Sequence, residues 1–371
     1  SLSAATADLT ATGITASYNA GTRILTLSKP TAGTAAEFQQ VLSGVRFTNP
    51  SDAPDPSVRT FIISSVNSQS VETELGRSTF TVDRVNDAPA FSGLSSLSYT
   101  ENANATAIAP SAVIGDADQS ASFDAGFLQA AFTSGSENSD QLSILTTGGI
   151  SISGAAVSYT PSGSSSVQIG TIDNTLNGVN GQPLKVALNN NATLAATQAL
   201  MRAVAYRNIS DDPSSGLSDN NRTIRFTLND GGNTSGVSPT TREDAALSVT
   251  GDVTVNFTSV NDAPTLSLTV GGVWSEAASG SNAVLQFLST ASAADVDGEH
   301  YNGGHLQIAF AAYNAGDTLT IVTGNNVSLS GSTVSYNSTA IGSIDSTNNG
   351  QAKALKINFT SSSVTDAIVA A

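Results

Sequence analysis

The string "VNDAP" occurs twice, at Val85–Pro89 and Val260–Pro264, and it is one part of a longer recurrence. At the same spacing, Glu101 of "SYTENA" falls on Glu276 of "VWSEAA". Further along, "IGDADQSASFDAGFLQAAF" is answered by "AADVDGEHYNGGHLQIAF", and "ISISGAAVSY" by "VSLSGSTVSY". Near the front, "VLSGVRFTNPSDAPDPSVRTFII" is answered by "LMRAVAYRNISDDPSSGLSDNNRTIRFTL". An ordered recurrence of this length predicts repeated structural units. On this reading residues 1–89 are the back part of a unit, 90–264 a complete unit, and 265–371 the front part of a third. Ala371 aligns with Leu200, inside a helical segment, so the chain reads as a window on a longer array.

Within each unit the apolar residues alternate. "TIRFTL" places Ile224, Phe226 and Leu228 on one face; "VTVNF" does so with Val253, Val255 and Phe257, and "TFTV" with Phe80 and Val82. A period of two predicts half-buried strands. Hairpins are predicted around Gly331 and around Asn19–Gly21. One segment departs from this period. "TAAEFQQVLSGV" (34–45) sets Phe38, Leu42 and Val45 on one helical face, with Thr34 and Glu37 at capping-box spacing, and its counterpart 193–204 is helix-like too. The expected class is therefore all-β: tandem β-sandwich units, each with one short helix. A unit of about 175 residues exceeds the ~100 of an immunoglobulin-like sandwich. Each unit is thus either an elaborated sandwich or two small modules.

Charge and cysteine content narrow the function classes. The formal net charge is −16, from 30 acidic and 14 basic residues, which disfavours nucleic acid and anionic membranes and favours metal cations as partners. There are no cysteines, so disulfide frameworks, thiolate zinc sites and cysteine nucleophiles are excluded together. No apolar run approaches the ~20 residues of a membrane span.

"VNDAPAF" (85–91), then "YTEN" (Tyr99–Asn102), then "DAD" (Asp116–Asp118) resembles the linker region of cadherin repeats. Glu276 and "DVD" (Asp295–Asp297) follow the second linker in the same order. The wider series resembles the cadherin-like tandem repeats of very large bacterial surface adhesins, many exported by type I secretion. That resemblance spans essentially the whole chain. It implies tandem immunoglobulin- or cadherin-like sandwiches, calcium at the linkers, and a non-enzymatic stalk or fibre, extracellular and on a bacterial surface. A self-assembling extracellular filament or surface-layer subunit, with copies of the chain as partners, is the variant reading.

By the same resemblance, Asn86, Asp87, Glu101, Asp116 and Asp118 would hold the cation at the first joint. Asn261, Asp262, Glu276, Asp295 and Asp297 would hold it at the second. Glu243 and Asp244 would supply ligands from the preceding unit. Calcium takes six to eight oxygen ligands, which suits this donor set. The proline after each Asn-Asp fixes φ and drives Ala88 and Ala263 toward extended geometry. The same string also serves as a plain turn; "DDP" (Asp211–Pro213) and "NDGG" (Asn229–Gly232) read as acidic turns at strand ends, with a secondary calcium site as the alternative. His300 and His305 lack zinc-site spacing, and no Gly-x-Ser-x-Gly elbow is present. Trp274 is the only tryptophan and is expected in core or joint packing. With so few aromatics, a carbohydrate-binding module or a carboxylate-based hydrolase is the weaker alternative.

Overall fold

The alternating segments form the strands they predict. Arg222–Asn229 buries Ile224, Phe226 and Leu228 completely, and Ser248–Thr258 buries Val253 and Val255. The computed structural model describes residues 2–55, 57–66, 69–82, 85–117, 122–213, 221–232, 246–276, 284–298, 301–324 and 326–371. Among these the chain is mostly β-strand, with four short helices. Asp118, Glu243, Asp244 and His300 lie outside the described residues.

Both predicted hairpins form. Thr15–Asn19 pairs with Ile24–Ser28, and Val327–Ser330 pairs with Thr333–Tyr336. In the first, the Asn19 carboxamide oxygen accepts from the N–H groups of Gly21 and Thr22 and so closes the turn. The predicted helix spans Ala35–Ser43, with both halves of the Thr34–Glu37 capping box made. The Lys29 ammonium, 2.7 Å from Glu37, and the Thr34 N–H hold that carboxyl down at about 2. Of the expected face Phe38 and Val45 are half-buried, but Leu42 is exposed and Val41 is the residue fully buried. The counterpart helix Leu194–Ala203, capped by Thr193, sinks Leu200 and Met201 into the core. The front stretch also holds a second helix, Thr6–Thr12, which its Thr-rich sequence did not suggest. It closes on Gly13 at φ 66°, whose N–H returns to the Leu9 carbonyl.

The central stretch builds one eight-stranded sheet. Its order is Ile150–Ser153, Ala156–Tyr159, Val167–Asn177, Leu184–Leu188, Phe127–Ser134, Arg222–Asn229, Ser248–Thr258 and Leu97–Thr100. A smaller sheet, Asp140–Ile144, Val204–Asn208 and Thr106–Ala107, accompanies it. Tyr99, Phe123, Ile169, Tyr206 and Phe226 are among the residues of the core cluster. The back stretch builds a five-stranded sheet: His305–Ile308, Leu355–Phe359, Thr339–Asn349, Thr333–Tyr336 and Val327–Ser330. Read from Phe127–Ser134 to Ile150–Ser153, the larger sheet has the same order. In the front stretch, Arg59–Val66 pairs with Glu72–Phe80, as Arg222–Asn229 pairs with Ser248–Thr258.

One pairing positions the site. Leu97–Thr100 lies parallel to Ser248–Thr258, with Thr100 opposite Thr258. Two parallel strands end at the same edge, so the residue after Thr100 arrives beside the start of the second "VNDAP".

Candidate cation site at the second linker

Glu101 is 4% exposed, and its N–H donates to the Thr258 carbonyl at 3.0 Å. Its Oε2 accepts the Val260 N–H at 2.8 Å, while its Oε1 is buried with no hydrogen-bond partner among the described residues. Asp262 likewise carries a buried Oδ2 without a partner among the described residues. The Asp262 N–H donates to Asp297 Oδ2 at 2.6 Å, and the Asp297 N–H donates to Asp295 Oδ1 at 3.2 Å. Burial pushes the Glu101 carboxyl above its ordinary range, against the Val260 N–H; the charges of Asp262, Asp297 and Asp212 push it further the same way. Asp211, Asp262, Thr265 and Asp295 line a shallow depression at this edge. An orphaned, buried carboxylate oxygen is costly unless something compensates it. A hard cation with several open oxygen positions fits that need. Among the described residues, no three acidic or imidazole side chains already stand in ligand geometry, so an ion would draw these carboxylates inward.

This arrangement corrects the expected grouping. Glu101 was placed at the first joint with Asp87 and Asp116, yet it sits at the second, with Asp262 and Asp297. The cause is the parallel strand, which carries it away from the linker that precedes it. Glu276, placed at the second joint by the same logic, is exposed. Asn261 is exposed and donates to the Asp262 carbonyl. Asp295 meets Asp297 through the Asp297 N–H and lines the same depression as Asp262.

Asp212 lies outside the two expected donor sets. "DDP" was read as an acidic turn, with a secondary calcium site as the alternative, and the charge of Asp212 acts on Glu101. The recurrence did not mark it: "SDAP" at 51–54 answers "SDDP" at 210–213 with Asp52 on Asp211 and Ala53 on Asp212. A ladder of bonds fixes this loop. The Asp212 N–H donates to Ser210 Oγ, the Ser210 N–H donates to Asn208 Oδ1, and Asn208 Nδ2 donates to Asp140 Oδ1 at 2.7 Å. Arg222, fully buried, donates to the Pro213 carbonyl at 2.8 Å, to Glu137 at 2.6 Å and to Asp140 at 3.2 Å. Tyr206 Oη also donates to Asp140, at 2.6 Å; its burial, and that carboxylate, push its pKa up.

At the first linker the structure shows a different contact. Asn86 is buried, and its Nδ2 donates at 2.8 Å to Oδ2 of the buried Asp230 in the "NDGG" turn. Asp230 Oδ1 accepts the N–H groups of Gly232 and Leu247. Asp87 is exposed and Asp116 half-buried. Asn86→Ala is expected to remove one bond from a carboxylate that keeps two others, costing about 1–2 kcal/mol, read as a lower urea midpoint at unchanged slope. Trp274 is 50% exposed rather than packed in a core, and His305 begins a strand with its side chain exposed.

No family model matches the chain, and no curated protein matches it significantly. Among the described residues no helix is long and apolar enough to cross a membrane.

Proposed function

We propose that this chain is a non-enzymatic stretch of tandem cadherin-like β-sandwich units, stiffened by calcium at its linkers, within the stalk or fibre of a bacterial surface protein. The observation that carries this reading is the pair of buried, unpartnered carboxylate oxygens on Glu101 and Asp262, at the junction between one sheet and the next linker. Glu101 and Asp212 would hold the ion from the unit before the linker, Asp262 from the linker, and Asp295 and Asp297 from the unit after it. Asn86, Asp87, Asp116 and Asp118 remain the proposed donors at the first linker. Calcium supplies positive charge and open coordination positions. The chain supplies an anionic edge whose self-repulsion loosens the joint when the ion is absent. Millimolar external calcium matches the weak sites of extracellular modules.

The test compares small-angle scattering and thermal melting in calcium and in EGTA. Calcium is expected to extend the particle and raise the melting temperature. Superimposable curves in both measurements would sink the reading.

A further inference from the structure

Asp140, Tyr206, Asn208 and Arg222 form a buried polar cluster in the central stretch. Charges of this kind are costly to bury, and hydrophobic replacements of similar volume commonly hold a core as well or better. What this cluster does that hydrophobic packing could not is orient an amide. The Asp140 carboxylate only accepts, so the Asn208 Nδ2 faces it, donating to Asp140 Oδ1 at 2.7 Å and to Ser139 Oγ at 3.1 Å. The Asn208 Oδ1 is thereby turned to the loop that follows, where it accepts the Ser210 N–H at 2.7 Å. Ser210 Oγ in turn accepts the Asp212 N–H at 3.1 Å. Arg222 holds the other end of the loop by the carbonyl of the buried Pro213.

The loop held at both ends is the one that reaches the candidate cation site. Asp211 lines the depression with Asp262 and Asp295, and the charge of Asp212 bears on Glu101. Parts of this brace recur in the neighbouring stretches. In the front stretch Asn49 and Ser51 stand where Asn208 and Ser210 do, and the Ser51 N–H donates to Asn49 Oδ1 at 3.1 Å. In the back stretch Asp317 of "GDTLTI" stands where Asp140 of "SDQLSI" does. Asp317 Oδ2 accepts the Asn314 N–H as Asp140 Oδ2 accepts that of Glu137, both at 2.8 Å. A recurring arrangement that adds no more stability than apolar packing calls for another role.

We infer that Asn208 and Ser210 are positioning residues for the cation site: through them the buried Asp140–Arg222 pair holds the Asp211–Asp212 loop in its binding geometry before the ion arrives. The inference rests on the calcium reading and deepens it. Ordering a loop at the moment of binding subtracts from affinity, so a loop ordered beforehand binds more tightly. Partners that orient a metal's ligands without touching the metal contribute about ten- to a hundredfold in affinity. On this account calcium affinity at the second linker is set partly from inside the central stretch, by side chains the ion never meets.

Calorimetric calcium titrations of the full chain test it, with every variant checked for folding by circular dichroism. Asp262→Ala identifies the binding phase that belongs to the second linker. Ser210→Ala is expected to weaken that phase roughly tenfold and Asn208→Leu at least as much, while Ser210→Thr, which keeps the hydroxyl, stays within about twofold of native. Two further variants separate positioning from stability. Val157→Ala truncates a fully buried side chain on another strand of the sheet; it is expected to lower the urea midpoint and leave the dissociation constant unchanged. In an Asp212→Ala background, Ser210→Ala is expected to add little, because the carboxylate it positions is gone. A chain that binds no calcium, or an Asp262→Ala isotherm identical to native, would overturn the calcium reading and this inference with it. The inference alone is overturned if Asp262→Ala loses its phase while Ser210→Ala or Asn208→Leu keeps the native dissociation constant, if Val157→Ala weakens binding as much as they do, or if Ser210→Ala acts equally with and without Asp212.

Discussion

Replacing Glu101 by glutamine is expected to stabilise the protein without calcium and to remove most of the stability that calcium adds. The amide oxygen still accepts the Val260 N–H, so the local bond survives. The buried charge does not. Its pKa is raised by burial first and by the charges of Asp262, Asp297 and Asp212 in addition. The sign follows from linkage. Below the ordinary glutamate range the group is protonated in both states and costs nothing. As pH rises, the unfolded chain ionises first, so stability falls until the folded group also ionises, and the cost is then complete. Urea melts in calcium-free buffer from about pH 4 to about pH 8 should show this decline in the native chain and its loss in Glu101→Gln. With calcium at a hundred times its dissociation constant, binding adds about 2.7 kcal/mol to the native chain. In a unit of this size that corresponds to roughly 5–10 °C in melting temperature. An equal calcium shift in the variant would remove Glu101 from the site.

Asp140→Ala is expected to be the most damaging single substitution in the central stretch, costing about 3–5 kcal/mol. Arg222 and Asp140 are both fully buried, and the Asp140 carboxylate also receives Tyr206 and Asn208. Its loss leaves a buried guanidinium without its buried carboxylate partner, beside the half-buried Glu137 carboxylate, the Pro213 carbonyl and the face of Phe257. The control lies on the same strand. Arg225 and Asp252 make a 2.7 Å pair with side chains nearly half exposed, and Asp252→Ala should cost about 0–1 kcal/mol. Comparable losses in urea melts of the two variants would show that burial does not set the value of these pairs.

The difference between those two arginines was readable in advance. Arg222 shares parity with Ile224, Phe226 and Leu228, the face assigned to the core, and Arg225 does not. The strands, both hairpins and the capping box followed in the same way from period and turn chemistry, which are local. Partnership is not local. Nothing in "LSYT" announces a parallel partner at Val255–Thr258, far along the chain, and without that partner Glu101 is assigned to the nearer linker. The place of Asp212 was open for a related reason. A turn and a ligand loop use the same residues, and the sequence does not show the ladder from Asp140 through Asn208 and Ser210 that fixes this loop.

The parallel pairing also bears on how the chain would respond to tension. Pulling the first linker one way and the second the other draws Leu97–Thr100 backward by its start and Ser248–Thr258 forward by its end. The two strands are then sheared lengthwise, and the hydrogen bonds between them are loaded together rather than peeled one after another. The Glu101–Val260 contact continues that seam past the last strand residue. A cation held there would sit where the sheared seam ends and the next unit takes up the pull.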